Sequence, residues 1–280
     1  MDARDWDRDE TAQHLRVPTG SDDKYSRGVV GLRTGSTAYP GAAVLGVEAA
    51  WRTGVGMVRY LGPDRPTALV LQRRPETVTA DGRVQAWVIG SGIDQEKRTD
   101  ADTAALREVL DGDVPVVADA GALDLVRTAT APLLVTPHAG EHDRLRELLG
   151  LDRADRSGVD ARAASAAETA AALGATVLLK GSTTIVADAA GRTIRVTAAT
   201  PWLATAGTGD VLAGTIGALV AAAGPSTVGD LAALAASGAW LHGRAAARAA
   251  SALGRQGGPI TALDVAAALP AVVAETLAAR

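Results

Sequence analysis

Six short, unbroken apolar runs, at 28–32, 56–60, 86–89, 114–118, 132–135 and 176–179, are separated by stretches whose apolar residues recur at helical spacing, at 42–52, 100–110, 141–149 and 160–173. Strands covered on both faces read as continuous apolar runs, because neither face meets water. Strand–helix–strand order also brings successive strands back parallel to one another. The chain is therefore expected to be α/β, with a mainly parallel central sheet between two helical layers. After Lys180 the pattern changes. Runs at 184–187 and 193–196 flank Asp188-Ala189-Ala190-Gly191-Arg192 as a hairpin, and 211–220, 228–249 and 262–279 are helical. No Pro/Ser-rich linker divides the chain, so residues 23–280 are read as one domain and the charged stretch 1–22 as an exposed tail. Phe is absent and aromatics are only 3% of residues, which leaves the core to Ala, Val, Leu and Ile at close backbone spacing.

Composition removes several function classes. A net charge of −4 offers no footprint for nucleic acid or for an anionic membrane. With no cysteine, there are no disulfides, thiolate nucleophiles or Cys-ligated zinc, and chemistry is left to carboxylates, hydroxyls, Lys or His. The first ten residues lack the order of a secretory signal, and no apolar stretch approaches the roughly 20 residues of a membrane span. A cytoplasmic protein is expected.

In a sheet of this kind ligands bind beyond the carboxyl ends of the strands. The residues that follow the apolar runs there are Gly90-Ser91-Gly92-Ile93-Asp94, Asp119, Thr136-Pro137-His138-Ala139-Gly140-Glu141 and Lys180-Gly181-Ser182-Thr183-Thr184. Thr205-Ala206-Gly207-Thr208-Gly209-Asp210 is a Gly-rich turn entering a helix, where free amides and the helix dipole hold a phosphate. Asp210 at that helix start is favoured as a carboxylate and is placed to take a proton from a hydroxyl undergoing phosphorylation. The plain alternative is an ordinary helix entry. Lys180 with the hydroxyls after it suits a nucleotide phosphate, or else ends a strand as a snorkelling side chain. Thr136 reads as an N-cap with Pro137 at the first helical position, which leaves His138 in the helix entry and beside the other loops. Asp94, Asp119 and Glu141 are candidates for ordering Mg2+-bound water. Trp202 either stacks on a planar ring or covers the core, the second being the simpler reading.

Taken together, Tyr39-Pro40-Gly41-Ala42-Ala43, Gly90-Ser91-Gly92, Asp119-Ala120, Thr136 to Glu141, Leu179-Lys180-Gly181 and Ala204 to Leu212 resemble the ADP- or ATP-dependent NAD(P)H-hydrate dehydratases of the ribokinase-like superfamily. The resemblance runs in order from about Asp23 to the C-terminal helices. It implies a three-layer ribokinase-like fold and repair of NADHX or NADPHX, the S-epimer of the nicotinamide cofactor hydrated at C6. A nucleotide, with ADP favoured over ATP and with Mg2+, would phosphorylate the added hydroxyl, and phosphate would then leave. Carried over residue by residue, Asp210 would be the base and Ala206, Gly207, Thr208 and Gly209 would hold the transferred phosphoryl group. Lys180, Gly181, Ser182, Thr183 and Thr184, with Gly209, would bind the nucleotide; Ala42, Gly92, His138 and Asp210 would line the hydrate site.

The resemblance further implies a homo-oligomer, typically a tetramer. It also implies a standalone dehydratase without the epimerase domain of many bacterial relatives. The chain departs from the family pattern at Ser91, Ile93 and Asp94, at Ala139, at Ala206, and at Gly121, where a second Asp is usual. The last change weakens a metal role for Asp119. A vitamin-precursor or sugar kinase of the same superfamily, and a catalytically silent nucleotide-binding protein, are the competing readings.

Overall fold

The computed structural model describes residues 3–223 and 230–278. Its strands are β1 (Arg4–Asp5), β2 (Val29–Arg33), β3 (Met57–Tyr60), β4 (Ala86–Ile89), β5 (Val116–Ala118), β6 (Leu133–Val135), β7 (Thr176–Leu179), β8 (Thr183–Ala187) and β9 (Thr193–Thr197). They form one sheet in the order β1-β9-β8-β7-β6-β5-β4-β2-β3. From β3 across to β7 every neighbour is parallel, and β7-β8 and β8-β9 are the antiparallel pairs of the expected hairpin. The helices are α1 (Arg8–Gln13), α2 (Pro40–Thr53), α3 (Asp64–Arg73), α4 (Asp100–Leu110), α5 (Ala139–Leu148), α6 (Val159–Leu173), α7 (Thr208–Ala222), α8 (Leu231–Ser251) and α9 (Ala262–Leu277).

Alternation along the strands builds the three layers. Val88 of β4 joins Val30, Leu32 and Val117 under α2, α7, α8 and α9, contributing Val47, Ile216, Leu234 and Leu269. Its neighbour Ile89 joins Val116, Val135 and Val177 on the opposite face, against Leu106 of α4, Leu145 of α5 and Ala166 of α6. Without bulky aromatics the helices seat very closely. A Cβ on Gly214 of α7 would stand 2.2 Å from the Gly46 carbonyl oxygen of α2, and one on Gly217 would stand 2.1 Å from Val88 Cγ2. The α2 and α7 backbones therefore touch.

The chain runs from β2 outward to β3 and then returns past β2 to β4, so the direction of winding reverses at the β2/β4 boundary. That reversal opens a crevice at the carboxyl ends of the strands, where the loops after β2 and β4 diverge.

The structure corrects two expectations here. Residues 4–13 are not an exposed tail: β1 pairs in parallel with β9, and Arg195 holds the Asp5 carboxylate at 2.6 Å and 3.0 Å. Asp7 and Glu10 form a capping box on α1, and Trp6, Ala12 and Leu15 are buried. The high charge concealed a short amphipathic unit, and among the described residues of that stretch the longest exposed run is 16–21. Helix α3 was not expected, since Pro66 in its first turn and charged residues at both ends resemble loop composition. The helices expected over 228–249 and 262–279 extend at 228–229 and 279 outside the described residues.

Helix α3 is fastened to α2 through Glu48, whose side chain is fully buried. Its carboxylate takes Arg52 at 2.7 Å, Arg74 at 2.5 Å and 2.6 Å, and Arg73 at 3.3 Å. Burial works to raise the Glu48 pKa, but the three guanidiniums prevail and hold it down at about 2. A carboxylate with a depressed pKa contributes stability above its unfolded value, and that contribution fades as the pH falls from about 4.5 toward 2. Glu48→Ala should cost about 2–3 kcal/mol in urea denaturation near neutral pH, below the roughly 3–5 kcal/mol of a fully buried pair because the arginines stay partly hydrated. The gap between wild type and variant should narrow through that acidic window; a gap independent of pH would overturn the account.

Candidate functional site

Four neighbouring strands each contribute one residue to a single polar cluster beyond their carboxyl ends. Asp119, just after β5, accepts Ser91 Oγ from the β4 loop at 2.9 Å on Oδ2. Its Oδ1 accepts Thr136 Oγ1 from the β6 loop at 2.8 Å and Lys180 Nζ, just after β7, at 2.7 Å. Ser91, Asp119 and Thr136 are all buried, so each bond is made away from water, where an unmet partner is costly. The Lys180 amide also donates to Pro137 O at 2.9 Å, which ties β7 to the β6 loop.

Lys180 reaches from this cluster to the helix of the Gly-rich turn. A Cβ on Gly209 would lie 3.8 Å from Lys180 Nζ. Gly207 is the N-cap of α7 at φ +86°, a left-handed conformation suited to glycine, and a Cβ there would stand 2.6 Å from Leu45 Cδ1. The amides of Ala206, Gly207, Gly209 and Asp210 meet no acceptor among the described residues, whereas the Thr208 amide is tied back to Thr205 O at 3.3 Å. Of the four residues expected to form the anion hole, Thr208 thus has its amide already engaged. Free amides at a helix start beside an ammonium group make an anion site of ordinary physics.

Asp210 departs from expectation in its charge. The helix start favours a carboxylate, yet burial, seconded by the Asp119 charge, pushes the Asp210 carboxyl up to about 7 against the pull of Lys180. Burial would depress Lys180, but Asp119, Glu141 and Asp210 outweigh it and hold its pKa above the ordinary value. The cluster thus pairs a firmly charged cation with a carboxyl poised to exchange a proton near neutrality.

His138, and not Thr136, is the N-cap of α5. Its Nδ1 accepts from the Gly140 and Glu141 amides at 3.0 Å and 3.3 Å, and Glu141 closes the capping box on the His138 amide at 2.7 Å. With Nδ1 accepting, the ring proton belongs on Nε2, which is 3.4 Å from Glu141 Oε1 on an exposed side chain. Glu141 Oε2 is 3.7 Å from Lys180 Nζ, linking His138 to the cluster. Ala42 and Gly92 meet at the sheet crevice: a Cβ on Gly92 would stand 2.3 Å from Ala42 Cβ. Gly181, Ser182, Thr183 and Thr184 follow Lys180 at the open edge, the first two exposed.

The carboxylates expected near a metal are otherwise engaged. Asp119 has its three donors, Glu141 caps α5, and Asp94 pairs with Lys97 at 3.0 Å. No group of three or more His, Asp or Glu that could hold a metal ion occurs among the described residues. A Cβ on Gly121 would fall 2.0 Å from Ile93 O, so a second Asp does not fit there without backbone movement. Trp202 is 40% exposed, and its indole N–H donates to Gln256 O at 3.3 Å, so it shields a surface turn and not the core.

Sequence reasoning missed three supports. Ser91 was read as part of a Gly-rich loop and Thr136 as a helix cap, although both hold Asp119. Arg162 of α6 braces the loop after β7 by donating to Thr183 O at 2.8 Å and Lys180 O at 3.4 Å. A long polar side chain reaching out of an Ala-rich helix was the one available signal.

Comparison with known proteins comes to the same place. The family model described as NAD(P)H-hydrate dehydratase matches residues 30–269. The bifunctional NAD(P)H-hydrate repair enzyme Nnr of Mycobacterium tuberculosis is 44% identical over 237 residues, covering 80% of this chain and 47% of that protein. The ADP-dependent (S)-NAD(P)H-hydrate dehydratase of Neisseria meningitidis is 35% identical over 240 residues, covering 78% and 76%. The crystal structure of the ADP/ATP-dependent NAD(P)H-hydrate dehydratase of Bacillus subtilis, co-crystallized with ATP/Mg2+, superimposes with a TM-score of 0.83 at 26% identity over 99% of both chains. The layered architecture is the ribokinase-like one. The chain spans about half the length of the bifunctional relatives it matches.

If Asp119 sets the state of Asp210, Asp119→Asn removes a neighbouring negative charge and frees Lys180 to pair with Asp210. Both effects favour the Asp210 carboxylate. Carbon-13 NMR titration of aspartate carboxyls should show the Asp210 resonance titrating well below 7 in the variant, and an unmoved midpoint would refute the coupling.

Proposed function

Because the chain belongs to the NAD(P)H-hydrate dehydratase family, we propose that it dehydrates the S-epimer of NADHX and NADPHX to NADH and NADPH, using ADP in preference to ATP. The observation that carries this reading is the conjunction at the start of α7. A carboxyl that exchanges its proton near neutrality stands on the same turn as unpaired amides, within reach of a charged Lys180.

In this reading Asp210 accepts the proton of the C6 hydroxyl as its oxygen attacks the terminal phosphorus of the nucleotide, and the phosphorus–oxygen bond to the departing nucleotide breaks. The amides of Ala206, Gly207 and Gly209 face the transferred group, whose charge they balance together with Lys180. The C6–O bond then breaks with phosphate as leaving group, driven by the ring-nitrogen lone pair, and loss of a C5 proton to water completes the double bond. Hydroxide leaves far less readily than phosphate, which is the chemical purpose of the nucleotide. Gly181, Ser182, Thr183 and Thr184 would receive the nucleotide on the loop that Arg162 braces. Ala42, Gly92 and the His138 Nε2–H would present the hydrate to Asp210.

Mg2+ enters the proposal with the nucleotide. The Asp119, Glu141 and Asp94 carboxylates are committed to protein donors and do not make a site for it, so no step is assigned to a protein-held metal. Assembly as a homotetramer is part of the same proposal and is read by sedimentation.

Purified protein mixed with NADPHX or NADHX and Mg2+ should gain the absorbance of the reduced nicotinamide ring only when ADP or ATP is added, and faster with ADP. A flat trace from protein that still binds nucleotide would instead favour a small-molecule kinase or a silent binder. The rate should fall on the acid side with a midpoint near 7, as Asp210 becomes protonated.

Asp210→Asn should reduce turnover by about a hundredfold or more with nucleotide binding retained. The same variant should melt higher than wild type above neutral pH. A carboxyl raised from 3.8 to about 7 costs the fold stability progressively as the pH rises between those values, and Asn removes that cost. Unchanged turnover, or a lower melting temperature, would overturn Asp210's role.

A further inference from the structure

A second polar feature lies beside the hydrate site and takes no part in the chemistry above. A cavity of about 840 Å3 opens beyond the carboxyl ends of β2, β3 and β4, between the starts of α3 and α4. Gly35 and Ile93 are on its wall, next to the meeting of Ala42 and Gly92: the Gly35 Cα would be 3.2 Å from a Cβ on Gly92. The cavity therefore continues the proposed hydrate site. Its volume lies toward the upper end of the about 300–1,000 Å3 of small-molecule pockets, which is generous for a nicotinamide ring alone.

The cations around this cavity are unequally occupied. Arg98 is bound in a fork to Asp124 at 2.7 Å and 2.5 Å and also donates to Gly121 O, while Lys97 pairs with Asp94. Arg33, at the end of β2, accepts the Gly90 amide on its backbone carbonyl at 3.1 Å, but its side chain makes no ion pair and no hydrogen bond to any described residue. Its guanidinium carbon rests 5.5 Å from the Trp87 ring centroid, and its Nε is sealed from water without a partner. The next residue, Thr34, is buried and its hydroxyl oxygen likewise has no partner. Its backbone is fixed by the Tyr60 hydroxyl, which donates to Thr34 O at 2.6 Å.

Arg33 and Thr34 both line the cavity, and a guanidinium without an ion pair next to a hydroxyl without a partner suits an acceptor with several charged oxygens. Asp64 and Asp102 also line the cavity, but Asp102 is occupied in capping α4 at Thr99. An anion would settle toward Arg33.

We propose that Arg33 and Thr34 form a phosphate-recognition subsite that holds the part of the dinucleotide substrate remote from the hydrated ring. This rests on the proposed function, since it assumes a dinucleotide hydrate. The phosphate has two sources: the diphosphate bridge common to both hydrates, or the ribose phosphate that only NADPHX carries.

The test measures kcat and KM for NADHX and NADPHX with wild type, Arg33→Ala, Arg33→Lys and Thr34→Val, with melting temperatures and titration of NADP+ and NAD+ by calorimetry. Arg33→Ala should raise KM about tenfold to a hundredfold at nearly constant kcat, Arg33→Lys should recover part of the loss, and Thr34→Val should raise KM several-fold. Equal losses for both hydrates assign the subsite to the diphosphate, and a loss confined to NADPHX and NADP+ assigns it to the ribose phosphate. Unaltered KM and dinucleotide affinity in folded variants would overturn the inference, as would a fall in kcat alone. If wild type turns over neither hydrate with any nucleotide, it is the proposed function that has failed.

Discussion

The site depends on one buried contact, the ion pair between Asp119 and Lys180. Its geometry is set by the sheet: parallel strands end in step, so residues following β4, β5, β6 and β7 arrive at one level and can bond sideways. Ser91 and Thr136 orient the carboxylate, which in turn holds the ammonium group close to the Gly-rich turn. A lysine alone at this depth would tend to lose its proton. With Asp119 beneath it the charge is retained, and the cost of burying either partner is met by the other and by the two hydroxyls. The same carboxylate disfavours a second negative charge nearby, so the state of Asp210 follows from how Lys180 is held. Fold, cation and neighbouring carboxyl are in this sense one arrangement.

The arrangement sets reactivity against stability. Asp210 sits where burial, with the Asp119 charge, opposes its ionisation and prevails over the pull of Lys180. Glu48 shows the opposite balance only a helix away. It is the more fully enclosed of the two, yet three arginines surround it and its pKa is driven down. One acidic residue fastens two helices and the other is left without a hydrogen-bond partner among the described residues. The contrast lies in the neighbouring charges, three guanidiniums around Glu48 against Asp119 and Lys180 beside Asp210.

Much of this was legible in the residue order. The unbroken apolar runs foretold the parallel strands, since strands buried on both faces cannot alternate, and the hairpin announced itself through Asp188 to Arg192. Site loops could be located because strand ends are local in sequence. What stayed hidden depended on partners distant along the chain. Nothing near Asp119 shows that Ser91, Thr136 and Lys180 converge on it. The position of His138 as N-cap depends on an Nδ1 lone pair that a residue pattern does not reveal, so Thr136 looked the better cap. The N-terminal unit was masked by its own charge, because Arg195, which answers Asp5, lies almost two hundred positions away. The unmatched donors of Arg33 and Thr34 likewise become visible only once the cavity exists.

The contact of Gly46 with Gly214 has a mechanical consequence. Where Gly214 meets Gly46 no side chain intervenes, and backbone presses directly on backbone. Ala42 rides at the front of one helix and Asp210 at the front of the other. The close approach fixes the spacing of the two helix starts, and with it the spacing of Ala42 from Asp210. Motions that admit and release ligands must then be sought in the loops that border this pair, with the pair itself serving as their fixed bearing.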